Sequence, residues 1–179
     1  QGKESFHDWV FKIAEENPGP QKVFLLTGPD LITQTLSIDL ALKELKQTRP
    51  DFDVVAEVRT DYSLPQAFAK SQPVLQAHPD LTIAMGNYAD LTRGLVQATK
   101  AAGRIGKFKI YDSGGNKWSF GALKAGEIVS TRTYTPYTEI YKSVQSLVDA
   151  WNGKQVPRYE PLVLADVTKD TIDQFQPEY

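Results

Sequence analysis

Cysteine is absent from this 179-residue sequence, which excludes disulfide bonds, thiolate catalysis and cysteine-based metal sites. Histidine is nearly as scarce, and neither His7 nor His78 stands at triad or metal-ligand spacing from a serine or a carboxylate. No apolar run approaches the roughly 20 residues that a membrane-spanning helix needs. The formal net charge is −2 and no block of basic residues stands out, which argues against binding to nucleic acid or to an anionic membrane surface.

Glycine-rich phosphate loops are also missing. The turn after the first apolar run, "TGPDLITQT" (27–35), contains one glycine and matches neither a Walker A loop nor a GxGxxG turn. "SGGN" (113–116) is rich in glycine, but it follows a late strand and lacks the lysine of a phosphate loop, so a flexible turn explains it better. Since no nucleophile–base pair is evident either, we expect no enzyme activity, no cofactor and no metal ion.

Short apolar runs do alternate with amphipathic patterns along the whole chain. The runs predict strands at 22–26, within 49–58, and at 81–86, 107–112 and 127–134. Helical periodicity fills the intervals, and an edge strand and a terminal helix are predicted to close the chain. This alternation predicts an α/β fold, a three-layer αβα sandwich with a mostly parallel sheet.

Ligands of such sheets bind at the carboxyl ends of the strands. The strand-to-helix loops at 27–34, 60–64, 86–90 and 112–118 are therefore the candidate site. Polar and aromatic side chains gather there, namely Tyr62, Asn87, Tyr88, Asp112 and Trp118. Each has an ordinary alternative: the carboxylate and the amide suit a helix cap or an Asx-turn, and the aromatic rings suit loop packing. Their convergence on one edge favours a binding site.

The order of several motifs resembles the type I periplasmic binding protein family, which contains ribose- and galactose-binding proteins and the effector domains of lac-type repressors. The stretch 25–103, including "QAHPD", is similar to the family's second lobe, and "KIYDSGG" (109–115) to its next strand and turn. "ALKAGEIVSTRTY" (122–134) and "GKQVPRYEPLVLADVTKDTIDQF" (153–175) resemble its later segments. The resemblance implies a flavodoxin- or Rossmann-like lobe over essentially the whole chain.

The resemblance also implies which residues hold a ligand. Tyr62 stands where the family often has an aromatic residue, the family's Asn falls on Tyr88 with Asn87 one residue early, and its ligand Asp falls on Asp112 or Ser113. A family Arg is replaced near Gln34, and a hinge Gln falls on Tyr134. The resulting candidate set is Gln34, Tyr62, Asn87, Tyr88, Asp112, Asn116, Trp118 and Tyr134.

This pocket has lost an arginine and gained tyrosines relative to the family pattern, which puts an ordinary pentose or hexose in doubt. An atypical sugar or a small methylated amine in an aromatic cage is a hypothesis that fits it. The expected function is an extracytoplasmic solute-binding protein that passes a small molecule to a membrane permease or a receptor. It would be periplasmic or extracellular, with a lipoprotein anchor as one form. The alternative is the effector-binding lobe of a lac-type regulator or of a periplasmic sensor.

The resemblance divides the chain into a ligand-binding lobe, 1–136, and a closing region, 137–179, which in the family returns towards the other lobe. The helix at 137–152 carries an apolar stripe whose usual cover, the first lobe, has no room in this chain. Burying such a stripe is worth several kcal/mol at about 25 cal/mol per Å². We therefore expect that the chain is a fragment, that it self-associates through this helix, or that the helix docks back on its own lobe. The start at Gln1 suggests a mature or trimmed product.

Overall fold

The computed structural model describes residues 3–160 and 164–179 of the chain. Its strands are β1 (Gln21–Thr27), β2 (Phe52–Arg59), β3 (Ile83–Gly86), β4 (Lys109–Asp112), β5 (Ser130–Arg132) and β6 (Asp166–Thr168). Its helices are α1 (Lys3–Glu16), α2 (Thr33–Thr48), α3 (Leu64–Ala77), α4 (Ala89–Ala101), α5 (Lys117–Lys124) and α6 (Pro136–Trp151). None of the helices in these ranges is long and apolar enough to cross a membrane.

The strands form one sheet in the order β2-β1-β3-β4-β5-β6. Neighbours from β2 to β5 run parallel, and β6 joins β5 in the antiparallel direction. The predicted three-layer sandwich with a mostly parallel sheet is therefore confirmed. The predicted terminal helix is reduced to a single 3₁₀ turn, Ile172–Gln174. The fifth strand is shorter than predicted, because only three of its residues are in the ladder.

The alternation of side chains along β1 builds a core on each face of the sheet. Val23 and Leu25 point to the face covered by α1 and α2. Phe24 and Leu26 point to the face covered by α3, α4 and α5. All four are fully buried, as expected for a central strand of a parallel sheet that is covered on both sides.

The contact between α3 and α4 is unusually close because Gly94 faces α3. A Cβ added at Gly94 would lie 2.6 Å from Cβ of Ala67, 2.7 Å from the carbonyl oxygen of Leu64 and 2.8 Å from the amide nitrogen of Phe68. Two of these atoms belong to the backbone, so the neighbours cannot move aside without shifting the whole helix. The missing side chain thus sets the distance between the two helices on this face.

Helix α6 confirms the predicted helix and its apolar stripe, but none of its residues is buried. Its exposed apolar side chains are Tyr137, Ile140, Tyr141, Val144, Leu147, Val148 and Trp151. The expectation that this helix docks back on its own lobe is wrong for the described chain, since its apolar face packs on neither core cluster. The other two alternatives, a fragment and self-association, stay predictions.

Replacing Gly94 with alanine is expected to lower the free energy of unfolding by about 2 kcal/mol, because the added methyl group overpacks the α3–α4 contact. Gly121 provides the matched control. It also lies inside a helix, but a Cβ there would meet nothing within 4 Å, so Gly121→Ala should stabilise the protein by about 0.5–1 kcal/mol through helix propensity. Urea denaturation of both variants measures the free energy of unfolding. Equal changes in the two variants would show that the α3–α4 contact has room for a methyl group at residue 94.

Candidate ligand-binding site

A cavity of about 400 Å³ opens at the carboxyl ends of the parallel strands. Every strand from β1 to β5 sends a following loop to it, and α1 and the chain's last segment complete its wall. The lining residues are Phe6, Ile32, Gln34, Tyr62, Asn87, Tyr88, Asp90, Ser113, Gly114, Thr133, Tyr134, Leu164 and Tyr179. The volume is within the range of small-molecule sites, roughly 300–1,000 Å³, and the position is the one where open α/β sheets bind ligands.

Four tyrosines supply much of the wall, in two edge-to-face pairs. The ring centroids of Tyr62 and Tyr88 are 5.4 Å apart, and those of Tyr134 and Tyr179 are 5.7 Å apart. Such pairs hold each other's orientation. The rings are therefore positioned before any ligand arrives.

The backbone of Tyr62 has a φ of 66°, a conformation that residues other than glycine rarely adopt. Its ring lies directly over Gly28, where an added Cβ would be 2.0 Å from the ring. The glycine of the "TGPD" turn therefore makes room for an aromatic ring. A residue held in such a conformation at the edge of a cavity is typical of a site where the fold accepts strain for function.

Asn87 follows β3 and is only 4% exposed. Its backbone amide donates to the carbonyl oxygen of Leu26 at 3.3 Å. Neither its side-chain nitrogen nor its side-chain oxygen has a hydrogen-bond partner among the residues that the structure describes. A buried amide that lines a cavity with both groups unsatisfied is prepared for a partner that both donates and accepts.

Asp112, the last residue of β4, is fully buried and is absent from the lining of this cavity. Its carboxylate accepts hydrogen bonds from Oγ1 of Thr92 at 2.5 Å, Oγ1 of Thr131 at 2.6 Å and the backbone amide of Gly114 at 3.0 Å. The bond to Gly114 is the Asx-turn that the sequence left open as the alternative. Asp112 thereby ties β4, α4 and β5 together directly behind Gly114.

The structure brings together five of the eight predicted site residues, Gln34, Tyr62, Asn87, Tyr88 and Tyr134. It does not bring Asn116 and Trp118 to the cavity lining, and Asp112 lies behind it. The side chain of Asn116 accepts a hydrogen bond from the amide of Ser119 at 2.9 Å and so caps α5. Trp118 packs, partly buried, against the core.

Sequence reasoning did not include Tyr179, Asp90 or Phe6 in the site. Tyr179 is the last residue, and its hydroxyl donates to the carbonyl oxygen of Gly114 at 2.7 Å while its own carbonyl accepts from the amide of Lys117 at 2.8 Å. Nothing in the local sequence marks it, because the antiparallel return of β6 brings it there. Asp90 lies in the predicted loop 86–90, so its position could have been used.

Burial raises the pKa of two phenols of this wall, those of Tyr179 and Tyr88. It raises the pKa of Tyr179 far above the ordinary value, with Tyr88, Asp112 and Tyr134 nearby adding to the effect. Burial also raises the pKa of Tyr88, and the neighbouring Asp90 raises it further. Near neutral pH these tyrosines are therefore uncharged groups that offer an aromatic face and a hydroxyl.

An ion pair between β5 and β6 stabilises the part of the cavity wall that follows β5. Nε of Arg132 lies 2.8 Å from one carboxylate oxygen of Asp166, and a terminal guanidinium nitrogen lies 3.0 Å from the other. Lys12 donates to the same carboxylate at 3.0 Å. Arg132 directly precedes two lining residues, Thr133 and Tyr134, so this pair fixes the part of the chain from which they project.

Residues 9–155 match the family model described as the periplasmic binding protein domain. Solved structures of such proteins share the fold. An ABC transporter periplasmic solute-binding protein from Actinobacillus succinogenes 130z, with bound D-allose, superimposes with a TM-score of 0.85 at 18% identity, over 95% of this chain and 60% of that one.

Two further structures give the same result. The myo-inositol binding protein of Caulobacter, bound to myo-inositol, has a TM-score of 0.84 at 19% identity, over 96% of this chain and 60% of that one. GanP, a glucose-galactose binding protein from Geobacillus stearothermophilus, has a TM-score of 0.82 at 21% identity, over 94% of this chain and 60% of that one. This chain thus spans about 60% of the length of these structures, and the likeness shows the fold.

The Arg132–Asp166 pair predicts a specific pH dependence of stability. Burial alone would raise the pKa of Asp166, but the hydrogen bonds and charges of Arg132 and Lys12 outweigh it and hold the pKa below the ordinary value. In the unfolded chain this carboxyl takes up its proton at about pH 3.9, whereas in the folded protein it takes up its proton only at lower pH. The contribution of Asp166 is therefore fully present above that value and is lost as the pH falls through the folded pKa.

Asp166→Asn leaves a buried guanidinium without this carboxylate, so the free energy of unfolding at neutral pH should fall by about 3 kcal/mol. The difference between the wild type and this variant should shrink as the pH is lowered below about 4. Urea denaturation over this range measures both effects. Asp53→Asn, at an exposed carboxylate, serves as the control, and a difference that stays constant with pH would contradict the assignment.

Proposed function

The chain belongs to the periplasmic binding protein domain family, and on that premise we propose that it is a solute-binding protein, or the corresponding part of one, that acts outside the cytoplasm. It holds a small polar molecule, sugar-like or a small amine, at the carboxyl edge of its sheet and does not change it chemically. The bound molecule is then handed to a membrane permease for ABC import or to a signalling receptor.

The observation that carries this proposal is the unsatisfied amide of Asn87. Leaving a buried donor and acceptor without partners costs about 1–3 kcal/mol per group. A ligand with neighbouring hydroxyl groups recovers this energy, because one hydroxyl donates to the amide oxygen and another accepts from the amide nitrogen. A polyhydroxylated ligand that reaches this side chain thus gains two hydrogen bonds from one residue.

The rest of the wall supports a ligand with both polar edges and apolar faces. The tyrosine rings offer flat surfaces on which the C–H face of a sugar ring can stack, and Gln34 adds a second amide. One of the similar structures holds D-allose, and two come from proteins named for myo-inositol and for glucose and galactose, all cyclic compounds rich in hydroxyl groups. Together these observations favour a compact, sugar-like solute.

A periplasmic or extracellular location and delivery to a permease or receptor follow from the family rather than from a contact in this chain. A lipoprotein anchor is one form that such a protein takes. The proposal requires neither a cofactor nor a metal ion, and no group of three or more metal-ligating side chains occurs among the described residues.

The apolar face of α6 requires a partner in the working protein. Leu147 is 71% exposed and Trp151 is 90% exposed, and such a contiguous apolar face is typical of an interaction surface. We propose that residues 1–136 form the ligand-binding lobe, and that residues 137–179 include the surface on which a second lobe or a second copy packs. The cavity of this chain alone is then only part of the full pocket, and its affinity is correspondingly weak.

The variant Asn87→Leu tests separately how this amide affects the free energy of unfolding and how it affects ligand binding. Because the substitution replaces an unsatisfied buried amide with an apolar group of similar volume, the free energy of unfolding should stay unchanged or rise by about 1 kcal/mol. Binding of D-allose, myo-inositol or D-galactose should weaken at least about tenfold. NMR titration measures the binding, and urea denaturation measures the stability.

Asn116→Ala is the matched control, because that side chain caps α5 and lies outside the cavity lining. It should lower the free energy of unfolding by about 1 kcal/mol and leave binding unchanged. If Asn87→Leu binds the three probes as the wild type does, the amide does not carry recognition. If the wild type binds none of them, the sugar-like class is wrong.

The α6 surface predicts that this chain associates as its concentration rises. Leu147→Lys should suppress the association, since it places a charge in the centre of the apolar face. Gln145→Lys adds the same charge at a polar position on the flank of this face and should have a smaller effect. Light scattering over a concentration series measures the mass, and a monomeric wild-type chain at high concentration would contradict self-association.

A further inference from the structure

The cavity lining contains a carboxylate, Asp90, and no lysine or arginine among the described residues. From this charge and the tyrosine wall we propose that the solute is a small organic cation, an ammonium compound that also carries a hydroxyl group. The inference rests on the proposed function and narrows its ligand class. It commits to a positive charge where the family comparison alone suggests a neutral sugar.

The amino-terminal end of α4 favours the negative charge of Asp90, but no basic side chain of the described residues neutralises it. Asp90 lies in the first turn of α4 and forms an ion pair with no basic residue of the described ranges. A second carboxylate, Asp112, lies directly behind Gly114 and is held by two hydroxyl groups and one amide, all neutral. Both carboxylates are close enough to Tyr179 to raise its pKa. Two carboxylates thus act on one cavity without a compensating cation in its wall.

The aromatic groups suit a cation as well. The pair Tyr62–Tyr88 and the pair Tyr134–Tyr179 line the same cavity. A solute in this cavity can therefore have aromatic rings on more than one side. The electron-rich face of a neutral tyrosine attracts an ammonium group, and several rings around one site strengthen the effect.

A hydroxylated cation can contact Asp90, the rings and Asn87 together, whereas a neutral or anionic solute leaves Asp90 without an opposite charge. A neutral polyol can bond Asn87 and stack on the rings, but it covers Asp90 and removes water from a carboxylate that gains no opposite charge. An anion adds direct repulsion. A hydroxylated ammonium compound places its charge near Asp90 and the rings and its hydroxyl on Asn87.

Matched pairs of probes isolate the charge. Choline and 3,3-dimethyl-1-butanol have the same shape and differ in one positive charge, and D-glucosamine and D-glucose form a second pair at about pH 6, where the amine is protonated. NMR titration of the chain with each probe gives the affinities. We expect choline to bind at least about tenfold more tightly than its neutral isostere, and D-glucosamine more tightly than D-glucose, with both differences reduced by added salt.

Two variants test whether the preference for a positive charge comes from Asp90. Asp90→Asn should reduce choline binding at least about fivefold and leave binding of the neutral isostere unchanged. Glu139→Gln also removes a carboxylate from the first turn of a helix, but outside the cavity lining, and it should change neither. Circular dichroism checks that both variants fold, and the salt dependence of the wild type provides a test that needs no variant.

The outcomes separate this inference from the function on which it rests. If D-glucose or myo-inositol binds while the charged probes bind no more tightly than their neutral counterparts, the positive charge is refuted and the sugar-like site stands. If neither the cations nor the polyols bind, both the inference and the proposed site fail. Equal loss of choline and of its isostere in Asp90→Asn would show that the carboxylate acts on the fold and not on the charge.

Discussion

The site depends on the parallel direction of neighbouring strands. Because β1 to β5 all run the same way, each ends at the same edge of the sheet, and each delivers its following loop to one cavity. Side chains from residue 32 to residue 134 meet there without being close in sequence. The antiparallel β6 turns the chain back along this edge, which lets the final segment close the wall. Binding groups can therefore be supplied by short loops, while the two buried cores keep those loops in place.

Small residues and the hydrogen bonds to the Asp112 carboxylate set the spacing at this edge. A Cβ on Gly28 would collide with the ring of Tyr62, and one on Gly114 would lie 2.4 Å from Cβ of Ala89. Behind these contacts Asp112 is held by hydroxyl groups from α4 and β5. Its bonds are short and directional, so a one-residue change in register would lose them. The aromatic wall is rigid because the backbone below it is packed and hydrogen-bonded.

Hydrophobic periodicity alone indicates most of the fold, because a parallel sheet covered on both faces requires buried runs separated by amphipathic helices. The site is harder to predict. Residues directly after a strand, such as Asn87 and Tyr88, are identified correctly as lining the cavity. Asp112 is the last residue of β4 and pairs in register with Gly86, one position before the residue equivalent to Asn87, and it faces the interior because one position along a strand reverses the side chain. The local sequence did not decide between a helix cap and a ligand contact for Asn116. Tyr179 depends on a long-range strand pairing that no local pattern encodes.

The described chain leaves two features unsatisfied, and they differ in kind. One is polar and enclosed, the amide of Asn87 at the edge of a cavity whose described lining has the carboxylate of Asp90 and no basic side chain. The other is apolar and open, the outer face of α6. Folded proteins pair nearly all of their buried polar groups and cover large apolar faces, so neither feature serves the stability of this chain. The amide of Asn87, with its donor and its acceptor both unpaired, suits a small molecule that can accept and donate a hydrogen bond. An apolar helix face suits a second protein surface that packs on it. Local rules of folding are often broken where a function uses the exposed group, and the two features therefore support the proposed ligand at the sheet edge and the proposed protein surface at the helix.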